Sequence, residues 1–186
     1  HHRLIGNVYA SKSNPFANAL DFTLYDRHGR VSLAANPNWQ PTAVESLAGT
    51  FGDVVLQQVN TDKATFPPGV NPTGYANWSF DGISLFPNCL VYVSNATYLT
   101  HLFWPVSENK CRWEIRTYSP AAANLAARFA QEYGKCFFRD TLLEDGSTLE
   151  RTQAMLMSGV KKEIYLQDQE LILRQRLKVA ERYINA

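Results

Sequence analysis

Asp145 stands in Leu143-Glu144-Asp145-Gly146, followed by Leu149-Glu150, Gln153 and Leu156-x-Ser158-Gly159, so a carboxylate lies just ahead of a segment with helical character. One carboxylate with two imidazoles is the donor set of a facial triad, which holds Fe(II) and leaves positions open for dioxygen. Asp145 offers the acid, and His1 at the opposite end of the chain offers an imidazole, with His2 as the fallback. Asp145 also has a structural explanation, since Asp-Gly is a turn pair and a carboxylate near a helix N-terminus is stabilised by the dipole. The other two histidines read more plainly: His28 lies in the polar, turn-like Tyr25-Asp26-Arg27-His28-Gly29-Arg30, and His101 in an aromatic strand pattern that suits a core or cavity-wall imidazole. No Ser–His–acid arrangement, glycine-rich phosphate loop or His-Glu-x-x-His pair is present.

Composition narrows the setting of these residues. The 186 residues suit one domain, residues 1–186, and 45% apolar content with 12% aromatics suffices for a core without disulfides. Eighteen basic against seventeen acidic side chains leave a net charge of +1, with no basic run beyond Lys161-Lys162, which argues against nucleic acid as a partner. Cys89, Cys111 and Cys136 are odd in number and lack Cys-x-x-Cys or Cys-x-His spacing, so neither a structural zinc nor an iron–sulfur cluster is expected within the chain. A reduced, cytoplasmic setting is expected, with no membrane association, because no apolar run reaches the ~18 to 20 residues of a span and no signal-peptide pattern opens the chain. A start at His-His without Met reads as a tag remnant or the middle of a longer polypeptide, and the chain is taken as a fragment.

The elements that must position Asp145 follow from periodicity. The first third is rich in Asn, Pro and Gly and reads as loops, with short strands at Asp21 to Tyr25 and Arg30 to Ala34 and a helix at Ala43 to Gly49. The run Val54 to Val59 fits either a helix or a strand. From Tyr75 to Tyr118, β-branched and aromatic runs predict an antiparallel meander near Ala76 to Phe86, Leu90 to Ser94, Tyr98 to Trp104 and Cys111 to Ser119. In the last strand Cys111, Trp113, Ile115 and Thr117 share one face. Pro120 to Phe138 predicts a long amphipathic helix with a stripe of Leu125, Phe129, Tyr133 and Phe137. Ser147-Thr148-Leu149-Glu150 matches a capping box, predicting a second helix to Met157. A closing helix from Asp168 to Tyr183 carries Leu173, Leu177, Ala180 and Ile184 on one stripe. The class is α+β, a curved antiparallel sheet around a long C-terminal helix. Such a fold leaves an apolar cavity between sheet and helix, with Trp78, Phe80, Tyr98, Phe103 and Trp104 as candidate walls.

Several motifs carry a resemblance. Leu143-Glu144-Asp145-x4-Glu150-x2-Gln153-x2-Leu156-x-Ser158-Gly159, then Leu166-x3-Glu170-x3-Arg174 and Val179-x3-Tyr183, together with Ser84-Leu85-Phe86-Pro87-Asn88-Cys89-Leu90, resemble the C-terminal catalytic domain of the α subunit of Rieske-type aromatic-ring-hydroxylating oxygenases. The resemblance covers most of the chain and rests on the order and spacing of the motifs together. It implies a helix-grip (START-like) fold, a mononuclear non-haem Fe(II) held by Asp145 and by His1 or His2, and hydroxylation of an aromatic or other apolar substrate with dioxygen. Arg3, two places after His1, falls as in relatives and favours His1. The resemblance also implies electrons from a ferredoxin or reductase through a [2Fe–2S] Rieske cluster, and a homotrimer. The first iron histidine, the acid that couples it to the cluster and the N-terminal Rieske domain have no counterpart here, so the isolated fragment is expected to be inactive. Phe137, Phe138, Trp78 and His101 are the expected substrate-pocket residues. The alternative is a metal-free helix-grip domain that binds a hydrophobic small molecule.

Overall fold

The computed structural model describes residues 19–35, 40–52, 66, 68–76, 78–94, 97–168 and 170–186. His1, His2, Arg3 and the run Val54 to Val59 lie outside the described residues. Alternating β-branched and aromatic residues form six strands: β1 (Ala19–Leu24), β2 (Gly29–Ala34), β3 (Trp78–Leu85), β4 (Cys89–Val93), β5 (Tyr98–Ser107) and β6 (Lys110–Tyr118). They make one sheet in chain order, each strand antiparallel to the next. Helix α1 (Ala43–Phe51) lies between β2 and β3 in sequence, and α2 (Leu125–Met157) and α3 (Leu171–Ile184) follow the sheet. This is the α+β helix-grip arrangement, a curved sheet with a long helix near the C-terminus.

Helix α2 is unbroken over 33 residues, about 50 Å at 1.5 Å per residue. The second helix expected to start at Ser147 is therefore a continuation of the first. Asn124 caps α2 by accepting from the Ala127 N–H at 2.9 Å, whereas the Ser147 and Thr148 hydroxyls donate back to the carbonyls of Glu144 and Asp145 at 2.7 and 2.8 Å. The working capping box is Thr42-x-x-Glu45 at α1, with Glu45 N–H to Thr42 Oγ1 at 3.2 Å and Thr42 N–H to Glu45 Oε2 at 2.7 Å. Pro41 precedes it, and proline cannot extend a helix upstream. Nothing comparable interrupts the chain before Ser147.

The buried face of α2 is Ala130, Gly134, Phe138 and Thr141, one residue round from the expected stripe, and Leu125 is 89% exposed. The small side chains explain the rotation. Ala130 packs against Ala48 of α1, with Tyr133 beside them, and a Cβ on Gly52 would lie 3.3 Å from the Ala130 Cβ, so the two helices meet closely through alanine and glycine. Farther along, Phe138 and Leu142 pack on the sheet core of Phe80 and Leu99, with Leu33 and Tyr92 alongside.

Helix α3 lies on the same sheet face. Alternation along β2 puts Gly29 and Leu33 on one side, and a Cβ at Gly29 would come within 2.7 Å of Ile172 Cδ1. The packed face of α3 is Ile172, Gln175, Arg176 and Val179, while Leu173, Leu177 and Ile184 of the expected stripe are exposed. Polar anchors turn the helix that way: Arg176 donates to Ser84 Oγ at 2.8 Å and to the Pro87 carbonyl, and Gln175 donates to the Tyr25 carbonyl. Among the described residues no helix is long and apolar enough to cross a membrane.

Candidate functional site

Strand β6 and helix α2 part to leave a cavity of about 400 Å³. Trp113, Ile115 and Thr117 line it from β6, on the face that alternation assigned to them. Helix α2 contributes Phe138, Leu142 and Leu143, and Lys135, Arg139 and Gly146 complete the lining. Lys135, Phe138, Arg139, Leu142 and Gly146 fall at i, i+3, i+4, i+7 and i+11, a single helical face. That spacing was the available signal for Lys135 and Arg139, obscured by the more conspicuous aromatic stripe one residue away.

Asp145 is half-buried in α2, immediately before the cavity-lining Gly146. Among the described residues no group of three or more His, Cys, Asp or Glu is arranged to hold a metal ion. An iron site here therefore needs at least one ligand from outside the described residues, where His1 and His2 lie. Asp145 does not itself line the cavity; as a half-buried oxygen donor one position from the lining Gly146, it has the chemistry of the carboxylate in a facial triad.

His101 is 2% exposed and sits among Tyr92, Trp113 and Phe138, with ring centroids 4.9, 5.7 and 6.1 Å away. The last two rings are walls of the cavity, so His101 stands directly behind its lining. Trp113 Nε1–H donates to His101 Nδ1 at 3.3 Å, which assigns the imidazole proton to Nε2. That Nε2 is buried without a hydrogen-bond partner among the described residues. Burial pushes the pKa of His101 down to about 4, so the ring is neutral at physiological pH.

The other expected pocket residues are spread more widely. Phe138, 4% exposed, is both core and cavity wall, whereas its neighbour Phe137 is half-buried and does not line this cavity. Trp78 is buried elsewhere: its Nε1–H donates to Asp81 Oδ1 at 2.8 Å, and the same oxygen accepts from Ser32 Oγ at 2.6 Å. Asp81 lies on the sheet face opposite Phe80, where a register shift between Leu33 and Ala34 lets the indole reach it. Phe80 is in the core and Phe103 stacks on Trp113 at 5.6 Å, but Tyr98 and Trp104 are 46% and 42% exposed on the outer face and are not walls. His28 accepts the Phe86 N–H on Nδ1 at 3.1 Å, a structural role that pins the hairpin turn of the Phe86-Pro87-Asn88 motif.

Charge at the cavity is one-sided. Lys135 pairs with Glu132 at 2.9 Å, Glu132 is shared with Arg128 at 2.6 Å, and Arg139 pairs with Asp140 at 2.7 Å. The hydrogen bond from Lys135, with the charges of Arg128 and Lys135, holds the Glu132 carboxyl below its ordinary range. Neither Glu132 nor Asp140 lines the cavity.

Set beside known proteins, residues 1–186 match the family model described as ring hydroxylating alpha subunit (catalytic domain). No curated protein and no solved structure matches the chain.

Proposed function

Because the chain belongs to the ring-hydroxylating alpha subunit catalytic-domain family, we propose that residues 1–186 are the single catalytic domain of a mononuclear non-haem iron oxygenase acting on an aromatic or other apolar small molecule. Asp145 and His1, with His2 as the fallback, would hold Fe(II). Bound there, the metal supplies dioxygen activation and one-electron chemistry. Electrons come from a ferredoxin or reductase through a [2Fe–2S] Rieske cluster, for which the three cysteines of residues 1–186 provide no paired Cys and His ligands. The working assembly is a homotrimer.

The chain's own residues have separate tasks. Asp145 supplies a negative charge and a hard oxygen donor. Trp113, Ile115, Phe138 and Leu142 exclude water and orient the substrate ring, which raises the effective concentration of the reacting carbon. His101 keeps its proton on Nε2 and stays neutral, so it adds no positive charge behind the cavity wall.

The observation that carries this reading is the half-buried Asp145 beside Gly146 and a cavity of about 400 Å³ whose walls are mainly apolar. The test is Asp145→Ala in the full-length protein, with iron measured by elemental analysis and turnover by product formation. Loss of iron and of turnover is expected. Wild-type iron content in the variant would remove Asp145 from the metal site, and full-length protein purified with a bound apolar molecule and no iron would favour the metal-free carrier.

A further inference from the structure

We infer that the substrate is an aromatic carboxylate, whose carboxylate is held by Lys135 and Arg139 while its ring lies between Trp113, Ile115, Phe138 and Leu142. This names the substrate class for the site proposed above and rests on that assignment.

Among the described residues Lys135 and Arg139 are the ionisable side chains that line the cavity, and both are cations. They are four residues apart on α2, so they project from one helical face, and the same face carries the apolar walls Phe138 and Leu142. A ligand that satisfies both chemistries has a planar apolar body and an anionic end.

The local ion pairs leave this capacity in place. Among the described residues Arg128, Lys135 and Arg139 are matched by Glu132 and Asp140, three positive charges against two negative, which leaves a surplus of one positive charge in the cluster. An ammonium has three donors, and Glu132 takes one from Lys135 at 2.9 Å. The guanidinium of Arg139 meets Asp140 through Nε and Nη2, which leaves the Nη1 edge to face a ligand. A carboxylate accepts two charge-assisted bonds, and a planar guanidinium matches its geometry. The volume, about 400 Å³, lies in the range of small-ligand pockets and suits one or two fused rings. A purely hydrocarbon substrate would use only the apolar half of the lining and leave both cations without an anionic partner in the ligand.

The experiment uses the full-length, iron- and cluster-loaded protein and measures equilibrium binding by calorimetry. The probes are benzoate and 2-naphthoate, each set against its uncharged amide, so ring size is held constant while charge changes. At least one acid is expected to bind about tenfold tighter than its amide, the worth of a single charge-assisted bond. Lys135→Gln and Arg139→Gln should each weaken acid binding about tenfold while leaving amide binding unchanged, since both side chains are partly exposed and carry little of the fold. Acids and amides that bind equally, amides that bind tighter, no binding of either, or an acid preference that survives the double substitution would overturn the inference. Asp145→Ala separates the two proposals. Iron retained in that variant counts against the metal site alone, and an acid preference retained after iron is lost leaves the anion site standing.

Discussion

His101 is enclosed by three aromatic rings and bound through Nδ1, so its titration is tied to folding. An unfolded histidine takes a proton near pH 6.5, and the folded one takes it only near pH 4. Below pH 6.5 the unfolded chain therefore binds a proton that the fold refuses. The stabilisation associated with neutral His101 is complete above pH 6.5 and is lost as pH falls toward 4, at up to about 1.4 kcal/mol per pH unit. Urea midpoints of the wild type should fall more steeply across this window than those of His101→Gln, and parallel curves would mean that the imidazole is protonated within the fold. At this scale the sequence was informative about identity and poor about partners. An imidazole in an aromatic strand pointed to a buried site, but the Trp113 bond arises from the register of β5 with β6, where His101 faces Ile115 two pairs away from Trp113 and on the same sheet face.

Helix α2 carries most of the site, and two local signals in it misled for the same reason. Ser147-x-x-Glu150 has the pattern of a helix start, yet the backbone N–H groups there are already committed to the preceding turns, so the hydroxyls turn back to carbonyls instead. The Leu125, Phe129, Tyr133, Phe137 stripe has the pattern of a buried face, yet the buried face runs through Ala130 and Gly134, and the small Ala130 allows close approach to α1. Gly146 offers a direct check on the continuity of the helix. A Cβ built there meets no atom within 4 Å, and a glycine inside a helix is less favourable than alanine by about 1 kcal/mol. Gly146→Ala should therefore stabilise the fold by about 0.5 to 1 kcal/mol, read from urea denaturation. A loss of stability of that size would indicate that α2 is interrupted at this residue. The motif Leu166-x3-Glu170-x3-Arg174 has its physical meaning at this scale too. Arg174 donates to the Leu166 carbonyl at 2.9 Å and to Asp168 at 3.3 Å, and Glu170 accepts the Gln167 N–H, so the spacing shapes the entry into α3.

Across the whole molecule, two helices share one sheet face, α2 over the strands that lead to the cavity and α3 over β1 and β2. Arg176 ties α3 to the β3–β4 hairpin through Ser84 and Pro87, Phe86 stacks on Tyr183 at 5.3 Å, and Arg182 pairs with Asp26 at 2.9 Å. Arg176→Met keeps the aliphatic stem but leaves the buried Ser84 hydroxyl without this donor, and should cost about 1 to 3 kcal/mol of stability in chemical denaturation. An unchanged midpoint would show that α3 docks through Ile172 and Val179 alone. The order of the strands, the α+β class and the Asp145 carboxylate next to Gly146 were determined by the sequence itself, because β-strand alternation, proline breaks and residue types are properties of neighbouring positions. Which helical face turns inward, that Trp78 serves Asp81 and not this cavity, and that two cations share the hollow with Phe138 were decided by the tertiary structure. Those outcomes depend on how closely two backbones approach and on strand register, distances between residues remote in the chain that no local pattern encodes.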